Sequence, residues 1–242
     1  MGAQKAGTTF IYNYLQNQRG VDLRKKEPHF FGYQTLEILA RRNPKLLLHQ
    51  IFPQFYLGDA RNFMLKKGVQ LTGDLTPRNA LMSSNELGRI QRIIDSFQDV
   101  ELKVIWQMRE PVDRIMSAIF MRQRRGMEKI TLEDALGIQG YVSRSSYDET
   151  GKKISNELRN PAVVFFYEGM PSTSASLDTY LGLEKHPTLL GNWKKSTYLD
   201  DLSERSYQNG VRALAKSYEF CFENFPQTRV LWSRAYQLMS SD

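Results

Sequence analysis

Apolar positions recur at helical spacing directly after the glycine-rich start of the chain. In TTFIYNYLQNQ (8–18) they fall at 10, 11, 14 and 15, the i, i+3, i+4 pattern of an amphipathic helix. The same reasoning, with proline breaks and polar caps, predicts helices elsewhere. These are 34–67 (broken at Pro44 and Pro53), 83–97 (capped by Ser84 or Asn85), 172–183 and 203–224.

Short, nearly continuous apolar runs predict strands that are buried on both faces. LKVIWQM (102–108) and PAVVFFYEGM (161–170) have this character, and VQLTGDLTP (69–77) predicts a shorter strand. Pro111 suits the first turn of a helix that continues to Gly126. Strands alternating with helices predict an α/β fold with a mainly parallel sheet. Because no linker or repeat divides the chain, we expect a single domain over 1–242.

Composition narrows the class of protein and its partners. The chain has 33 basic and 26 acidic residues and thus a net charge of +7. This charge favours the binding of anionic partners such as phosphates, sulfates, acidic glycans or nucleic acid. The single cysteine, Cys221, excludes an intrachain disulfide and favours a reducing compartment. No apolar run approaches the roughly 18 residues that span a bilayer, and no signal peptide is recognisable. We therefore expect a soluble, cytoplasmic protein, with an excised Golgi-lumenal domain as the alternative.

The stretch GAQKAGTT (2–9) is close to the phosphate-binding signature G-x-x-x-x-G-K-[ST], but its lysine is Lys5 and Thr8 stands in the usual lysine position. It lies at a predicted helix N-terminus, where free N–H groups and the helix dipole favour an anion. A glycine turn without a ligand is the alternative. Such a loop normally follows a buried strand, so we expect the first strand to be short or to begin upstream of Met1.

The stretch RKKEPHFFGY (24–33) carries a carboxylate and an imidazole. Pro28 biases Glu27 toward an extended conformation, in which Glu27 and His29 face the same side. Such a pair can perform general base chemistry. A surface glutamate beside a structural histidine is the alternative.

The stretch MREPVDRIMS (108–117) places Arg109 at the end of a predicted strand and Ser117 about two turns into the next helix. The carboxyl edge of a parallel sheet is where α/β proteins bind ligands. A guanidinium and a hydroxyl there can hold a phosphate. The alternative is a structural ion pair of Arg109 with Glu110 or Asp113.

In this order, the three motifs resemble the sulfotransferase family, whose donor is 3′-phosphoadenosine 5′-phosphosulfate (PAPS). The resemblance is closest to the glycan-type, heparan sulfate sulfotransferase-like branch and suggests a bacterial member. GAQKAGTT resembles its 5′-phosphosulfate loop, KEPHFF its base-bearing segment and VIWQMREPVDRIMS its 3′-phosphate strand and helix. RSSY (144–147) and VVFFYEGM (163–170) resemble further landmarks of that core, so the resemblance covers residues 2–185.

The resemblance implies a P-loop-type fold and a role for each motif. Lys5 would stabilise negative charge on the departing 5′-phosphate, and Glu27 would take the proton of an acceptor hydroxyl attacking sulfur in line. His29 would orient the acceptor or support Glu27. Arg109 and Ser117 would recognise the 3′-phosphate. The implied donor-binding residues are Lys5, Ala6, Gly7, Thr8, Thr9, Arg109, Ser117 and Tyr147.

Two segments depart from the family pattern. Asp74-Leu75-Thr76-Pro77 stands where the family often has Glu-Lys-Thr-Pro, so a lysine that can reach the acceptor is missing and Arg78 is its candidate replacement. The donor-covering loop, usually rich in glycine and lysine, has its best candidate in GNWKKSTY (191–198).

The acceptor implied by the resemblance is a hydroxyl, most naturally of a glycan or glycolipid, and the sequence names neither the sugar nor the oligomeric state. No metal is expected, because the histidines at 29, 49 and 186 are scattered. A nucleotide kinase would place lysine directly before Thr9 and add a magnesium-binding acid. A nucleic-acid-binding protein finds support only in MRQRRGMEK (121–129), which lacks stacking aromatics, so no nucleic acid partner is expected.

Overall fold

The computed structural model describes residues 2–23, 27, 51–184 and 198–241. Its strands are Ile105–Met108, here called the central strand, and Val163–Phe166. The α-helices before the second strand are Thr8–Gln16, Pro53–Lys67, Ser84–Asp95, Pro111–Gln123 (the central helix), Leu132–Leu136, Gln139–Val142 and Tyr147–Glu157. Those after it are Ser174–Leu181, Glu204–Ala213, Ala215–Asn224, Thr228–Leu231 and Ser233–Ser240.

The central strand organises the fold. It is buried along its whole length and pairs in parallel with Val163–Phe166, while Gly2 forms a parallel bridge with Gln107. Successive side chains of a strand point to opposite faces. Accordingly, Ile105 packs in one apolar cluster with the helix Thr8–Gln16, and Trp106 packs in a second cluster on the other face. Apolar packing on both faces is typical of a parallel sheet between helices and confirms the α/β prediction.

The central helix follows the strand after a two-residue turn. Pro111 occupies its first turn, and the Glu110 carboxylate accepts a hydrogen bond from the Asp113 N–H as N-cap. Residues 111–119 of this helix are all buried. The charged residues at its start are therefore held inside the molecule rather than in water.

Several predicted elements are confirmed with adjusted ends. The predicted helices at 8–18, 111–126 and 172–183 are present. The helix at 83–97 is also present, but its cap is Ser83 and not Ser84 or Asn85, because the Ser83 hydroxyl and Glu86 form a capping box. Of the predicted helix at 34–67, the described part is Pro53–Lys67, and 34–50 lie outside the described residues.

Two predictions of secondary structure are wrong, and a third is wrong in its second half. The strand predicted over 161–170 ends at Phe166, and Tyr167–Thr173 form a 3₁₀ helix. The strand predicted at 69–77 is reduced to a single bridge between Val21 and Leu71, because the Asp74 carboxylate accepts the Thr76 N–H in a turn and a 3₁₀ helix follows. The helix predicted over 203–224 is divided at Leu214, whose φ of −112° and ψ of 17° interrupt the helical path.

No helix among the described residues is long and apolar enough to cross a membrane.

Candidate functional site

The stretch Gly2–Thr9, here called the phosphate loop, starts at the edge of the central strand. The Ala3 N–H donates to the Gln107 carbonyl over 3.1 Å, which continues the parallel pairing begun at Gly2. A Cβ atom at Gly2 would lie 2.9 Å from both the Gln107 side chain and the Thr8 methyl group. A larger residue at this position would therefore require the Gln107 and Thr8 side chains to move.

The backbone of the loop is shaped to present N–H groups. Lys5 adopts a φ of 76°, the one positive φ of a non-glycine residue among the described residues, and Gly7 has a φ of 91° as N-cap of the helix Thr8–Gln16. Left-handed residues of this kind form concave nests of N–H groups that bind anions. The N–H groups of Thr8 and Thr9 open the helix and have no partner within it. Within the loop the Ala6 N–H already donates to the Ala3 carbonyl over 3.1 Å and Ala6 is buried, whereas Thr9 is exposed. Binding of a phosphate by Ala6, Gly7, Thr8 and Thr9 stays a prediction.

Arg109 joins the phosphate loop to the central helix. Its Nη1 donates to the Lys5 carbonyl over 3.1 Å, and its Nε and Nη2 lie 2.8 and 2.7 Å from Oδ2 of Asp113. Its guanidinium carbon also lies 4.1 Å from the centre of the Tyr167 ring. The ion pair of Arg109 with Asp113, which the sequence left as an alternative, is present. Arg109 also binds the carbonyl of Lys5, the loop residue with a positive φ.

Tyr147 holds the backbone on which Arg109 sits. Its hydroxyl donates to the Arg109 carbonyl over 2.8 Å and accepts the Arg109 N–H over 3.1 Å. The ring is buried, and burial raises the pKa of its phenol well above the usual range. The structure therefore gives Tyr147 a supporting contact, while a contact with the donor stays a prediction.

The remaining predicted residues are distributed around this centre. Ser117 is buried on the central helix, and Glu27 is half-buried. His29 lies outside the described residues, so the predicted pairing of Glu27 with His29 is untested. The structure brings Lys5 and Arg109 together directly, although they are far apart in the sequence.

Each of the two segments that depart from the family pattern has one candidate residue among the described residues, Arg78 and Tyr198. Arg78 lies in the 3₁₀ helix Pro77–Leu81, and its buried Nε has no hydrogen-bond partner among the described residues. Of 191–198, only Tyr198 is described: its N–H donates to Oδ1 of Asp113 over 2.8 Å, and its ring centre lies 5.8 Å from the Arg109 guanidinium carbon. The residues 191–197 lie outside the described part of the chain.

Behind Arg109, Glu110 forms a buried polar cluster with two tyrosines. The hydroxyl groups of Tyr218 and Tyr207 both donate to Oε1 of Glu110, while Oε2 caps the central helix. Burial raises the pKa of Glu110 to about 8, with smaller contributions from the negative charges of Asp113 and Glu168. The two tyrosines come from the two helices that Leu214 separates.

The raised pKa of Glu110 predicts a pH-dependent stability. The folded state holds the Glu110 proton more tightly than the unfolded state does. The contribution of Glu110 to the free energy of unfolding is therefore largest below pH 4.5 and decreases as the pH rises to about 8. Between these two pH values, Glu110 lowers the free energy of unfolding by up to about 1.4 kcal/mol per pH unit. Glu110→Gln resembles the protonated form, so urea unfolding between pH 5 and pH 9 should show a shallower slope. The exposed control Glu133→Gln should keep the native slope; an unchanged slope in Glu110→Gln would exclude this assignment.

Two further charged residues of the central helix belong to the site: the sequence offered Asp113 only as a possible partner of Arg109, and it did not single out Arg114. Asp113 is the acidic partner of both Arg109 and the Tyr198 N–H. Arg114 is completely buried, and its signal in the sequence is its place among the apolar residues Val112, Ile115 and Met116. A cation in such a stripe requires polar partners that the sequence does not identify.

Comparison with known proteins gives a match in structure alone. No protein-family model matches the sequence, and no curated protein is significantly similar to it. The crystal structure of a sulfotransferase from Alicyclobacillus acidocaldarius superimposes with a TM-score of 0.60 over 90% of each chain, at 18% sequence identity. This chain therefore has the α/β fold of that sulfotransferase.

Proposed function

We propose that the chain is a single-domain sulfotransferase that uses PAPS to sulfate a hydroxyl group of a carbohydrate acceptor. The observation that carries the proposal is the contact between the Lys5 carbonyl and Arg109 Nη1. It joins the motif expected to hold the 5′-phosphosulfate to the motif expected to hold the 3′-phosphate. The fold shared with a bacterial sulfotransferase supports the same assignment.

The phosphate loop would hold the 5′ end of the donor. The nest around Lys5 and Gly7 and the N-terminus of the helix Thr8–Gln16 offer N–H groups and a favourable dipole. PAPS supplies the activated sulfuryl group when bound. The Lys5 amine would neutralise the charge that develops on the bridging oxygen as the sulfur–oxygen bond breaks.

Glu27 would act as the general base. Its carboxylate would take the proton from the acceptor hydroxyl while the hydroxyl oxygen forms its bond to sulfur, with His29 orienting the acceptor. Transfer of a sulfuryl group depends mainly on alignment and charge neutralisation, which these residues provide. No metal is part of this proposal.

Arg109 and Ser117 would recognise the 3′-phosphate, with Tyr147 supporting Arg109 from behind. In this scheme Arg109 has two tasks, since it also braces the Lys5 carbonyl. Replacing it by alanine would leave the buried Asp113 carboxylate without its cation, which typically costs about 3–5 kcal/mol of stability. Ser117 is consequently the better residue for testing recognition of the donor.

Calorimetry with 3′-phosphoadenosine 5′-phosphate (PAP) and ADP tests the donor class. We expect PAP to bind about 10–100-fold more tightly, because contacts with the 3′-phosphate are charge-assisted. Ser117→Ala should weaken PAP binding about 10-fold and leave ADP binding unchanged. Ser155→Ala, an exposed serine that bonds the Lys152 carbonyl, is the matched control. Equal affinities of the native chain for PAP and ADP would overturn the proposal.

A further inference from the structure

A glutamine side chain is buried in the central strand next to the phosphate loop. Gln107 has an exposed fraction of 1%, and its Nε2 has no hydrogen-bond partner among the described residues. Its neighbours along the strand, Trp106 and Met108, are apolar and buried. A buried amide donor without a partner destabilises the folded chain. The amide of Gln107 therefore calls for an explanation other than stability.

The amide lies beside the N-terminus of the first helix. A Cβ atom at Gly2 would lie 2.9 Å from Oε1 of Gln107 and 2.9 Å from the Thr8 methyl group. The amide oxygen and the Thr8 methyl group are thus no more than twice that distance apart. Thr8 opens the helix Thr8–Gln16, and the N-terminus of a helix favours an anion. The small size of Gly2 leaves the amide its place beside that N-terminus.

The backbone of Gln107 is fixed to the loop as well. Its carbonyl accepts the Ala3 N–H over 3.1 Å, and Gly2 forms the parallel bridge with Gln107. At the other end of the loop, Arg109 Nη1 donates to the Lys5 carbonyl over 3.1 Å. Because Gln107 and Arg109 hold the loop at both ends, the side chain of Gln107 keeps its position relative to the anion that the loop is expected to bind.

The chemistry of an amide suits a phosphate at this place. The side-chain NH₂ group of glutamine offers two N–H donors and carries no charge. In nucleoside-triphosphate enzymes, an aspartate acts beside the phosphate loop by holding magnesium. A glutamine amide donates directly to a phosphate oxygen instead, and the hydrogen bond is strengthened because the acceptor is ionised.

We propose that Gln107 is a further donor-binding residue, whose Nε2 donates a hydrogen bond to an oxygen of the 5′-phosphate of PAPS in the phosphate loop. This inference rests on the proposed sulfotransferase function. The phosphate oxygen is the partner that Nε2 lacks among the described residues. Binding of the donor thus offsets the cost of burying the amide in the free chain.

Replacing Gln107 by leucine tests the contact, because leucine is similar in size and lacks the amide. Gln107 lies on the same face of the strand as Ile105, which packs in an apolar cluster. The melting temperature of the free Gln107→Leu variant should therefore equal or exceed the native value. Its affinity for PAP, measured by calorimetry, should fall about 10-fold. Its affinity for adenosine 3′-phosphate, which has no 5′-phosphate, should be unchanged.

Two further variants complete the experiment. Gln107→Met keeps an unbranched side chain and should behave like Gln107→Leu, so it decides the question if the leucine variant does not fold. Gln237→Leu changes an exposed glutamine on the helix Ser233–Ser240 and should keep the native affinity for PAP.

The opposite effects on stability and on binding separate the explanations. Native affinity for PAP in the apolar variants would overturn the inference. An equal loss of affinity for PAP and for adenosine 3′-phosphate, or a lower melting temperature of both apolar variants, would assign Gln107 a structural role and also overturn it. Failure of the native chain to prefer PAP over ADP would instead refute the proposed function, a result obtained before any variant is made.

Discussion

Replacing Lys5 by methionine is expected to lower the rate constant of sulfuryl transfer by about 10²–10³-fold, the usual effect of removing one donor that stabilises developing charge. Methionine keeps an unbranched side chain, so the backbone at φ 76° and its carbonyl contact with Arg109 should persist. The change therefore removes the charge and little else. Release of PAP from PAPS in the presence of a carbohydrate acceptor measures the rate.

Two further variants make the Lys5 result specific. Lys103→Met removes a surface lysine paired with Glu101 and should leave the rate unchanged. Lys5→Arg retains the positive charge and should recover part of the activity lost in Lys5→Met, because the electrostatic contribution survives. Full activity of the Lys5→Met variant would show that Lys5 has no role in sulfuryl transfer, whatever the affinity of the variant for PAP.

Replacing Glu27 by glutamine is expected to reduce transfer by about 10²–10⁴-fold, the range of general base catalysis. Glutamine has nearly the same shape but cannot accept the proton of the acceptor hydroxyl. Calorimetry should find PAP binding unchanged, because the residues proposed to bind the donor are on the phosphate loop and around Arg109. The combination of native donor affinity and lost turnover distinguishes a base from a donor-binding residue.

The matched control for Glu27 is Glu219→Gln, an exposed glutamate on the helix Ala215–Asn224. It should transfer at the native rate. If Glu27→Gln turned over normally, another group would have to accept the proton. If Glu27→Gln instead lost PAP affinity, Glu27 would act in donor binding rather than as the base.

Much of the local structure followed from the sequence. The apolar run before Arg109 correctly predicted the buried central strand, and Pro111 correctly placed the start of the central helix. The glycine-rich loop was correctly placed at the N-terminus of the helix Thr8–Gln16. These features are predictable because they depend on spacing and on backbone preferences within a few residues.

The two wrong predictions of secondary structure have different physical reasons, a distant contact in one case and a local turn in the other. The uniform helical pattern over 203–224 gave no sign of the break at Leu214, which accompanies the approach of Tyr207 and Tyr218 to Glu110. The stretch 69–77 had a strand-like composition, but a local turn at Asp74 limits its pairing to one bridge. Tertiary packing overrides propensity most readily in short or evenly patterned segments.

The sequence by itself determined most of the order of strands and helices, the position of the phosphate loop at a helix N-terminus and the identity of its chemical groups. Only the tertiary structure decided which of those groups meet: Arg109 with the Lys5 carbonyl and Asp113, and Arg114 with Arg122 and Arg144 around one cavity. The physical reason is that periodicity records which face of an element is buried, whereas the partner of a buried charge depends on packing between elements distant along the chain.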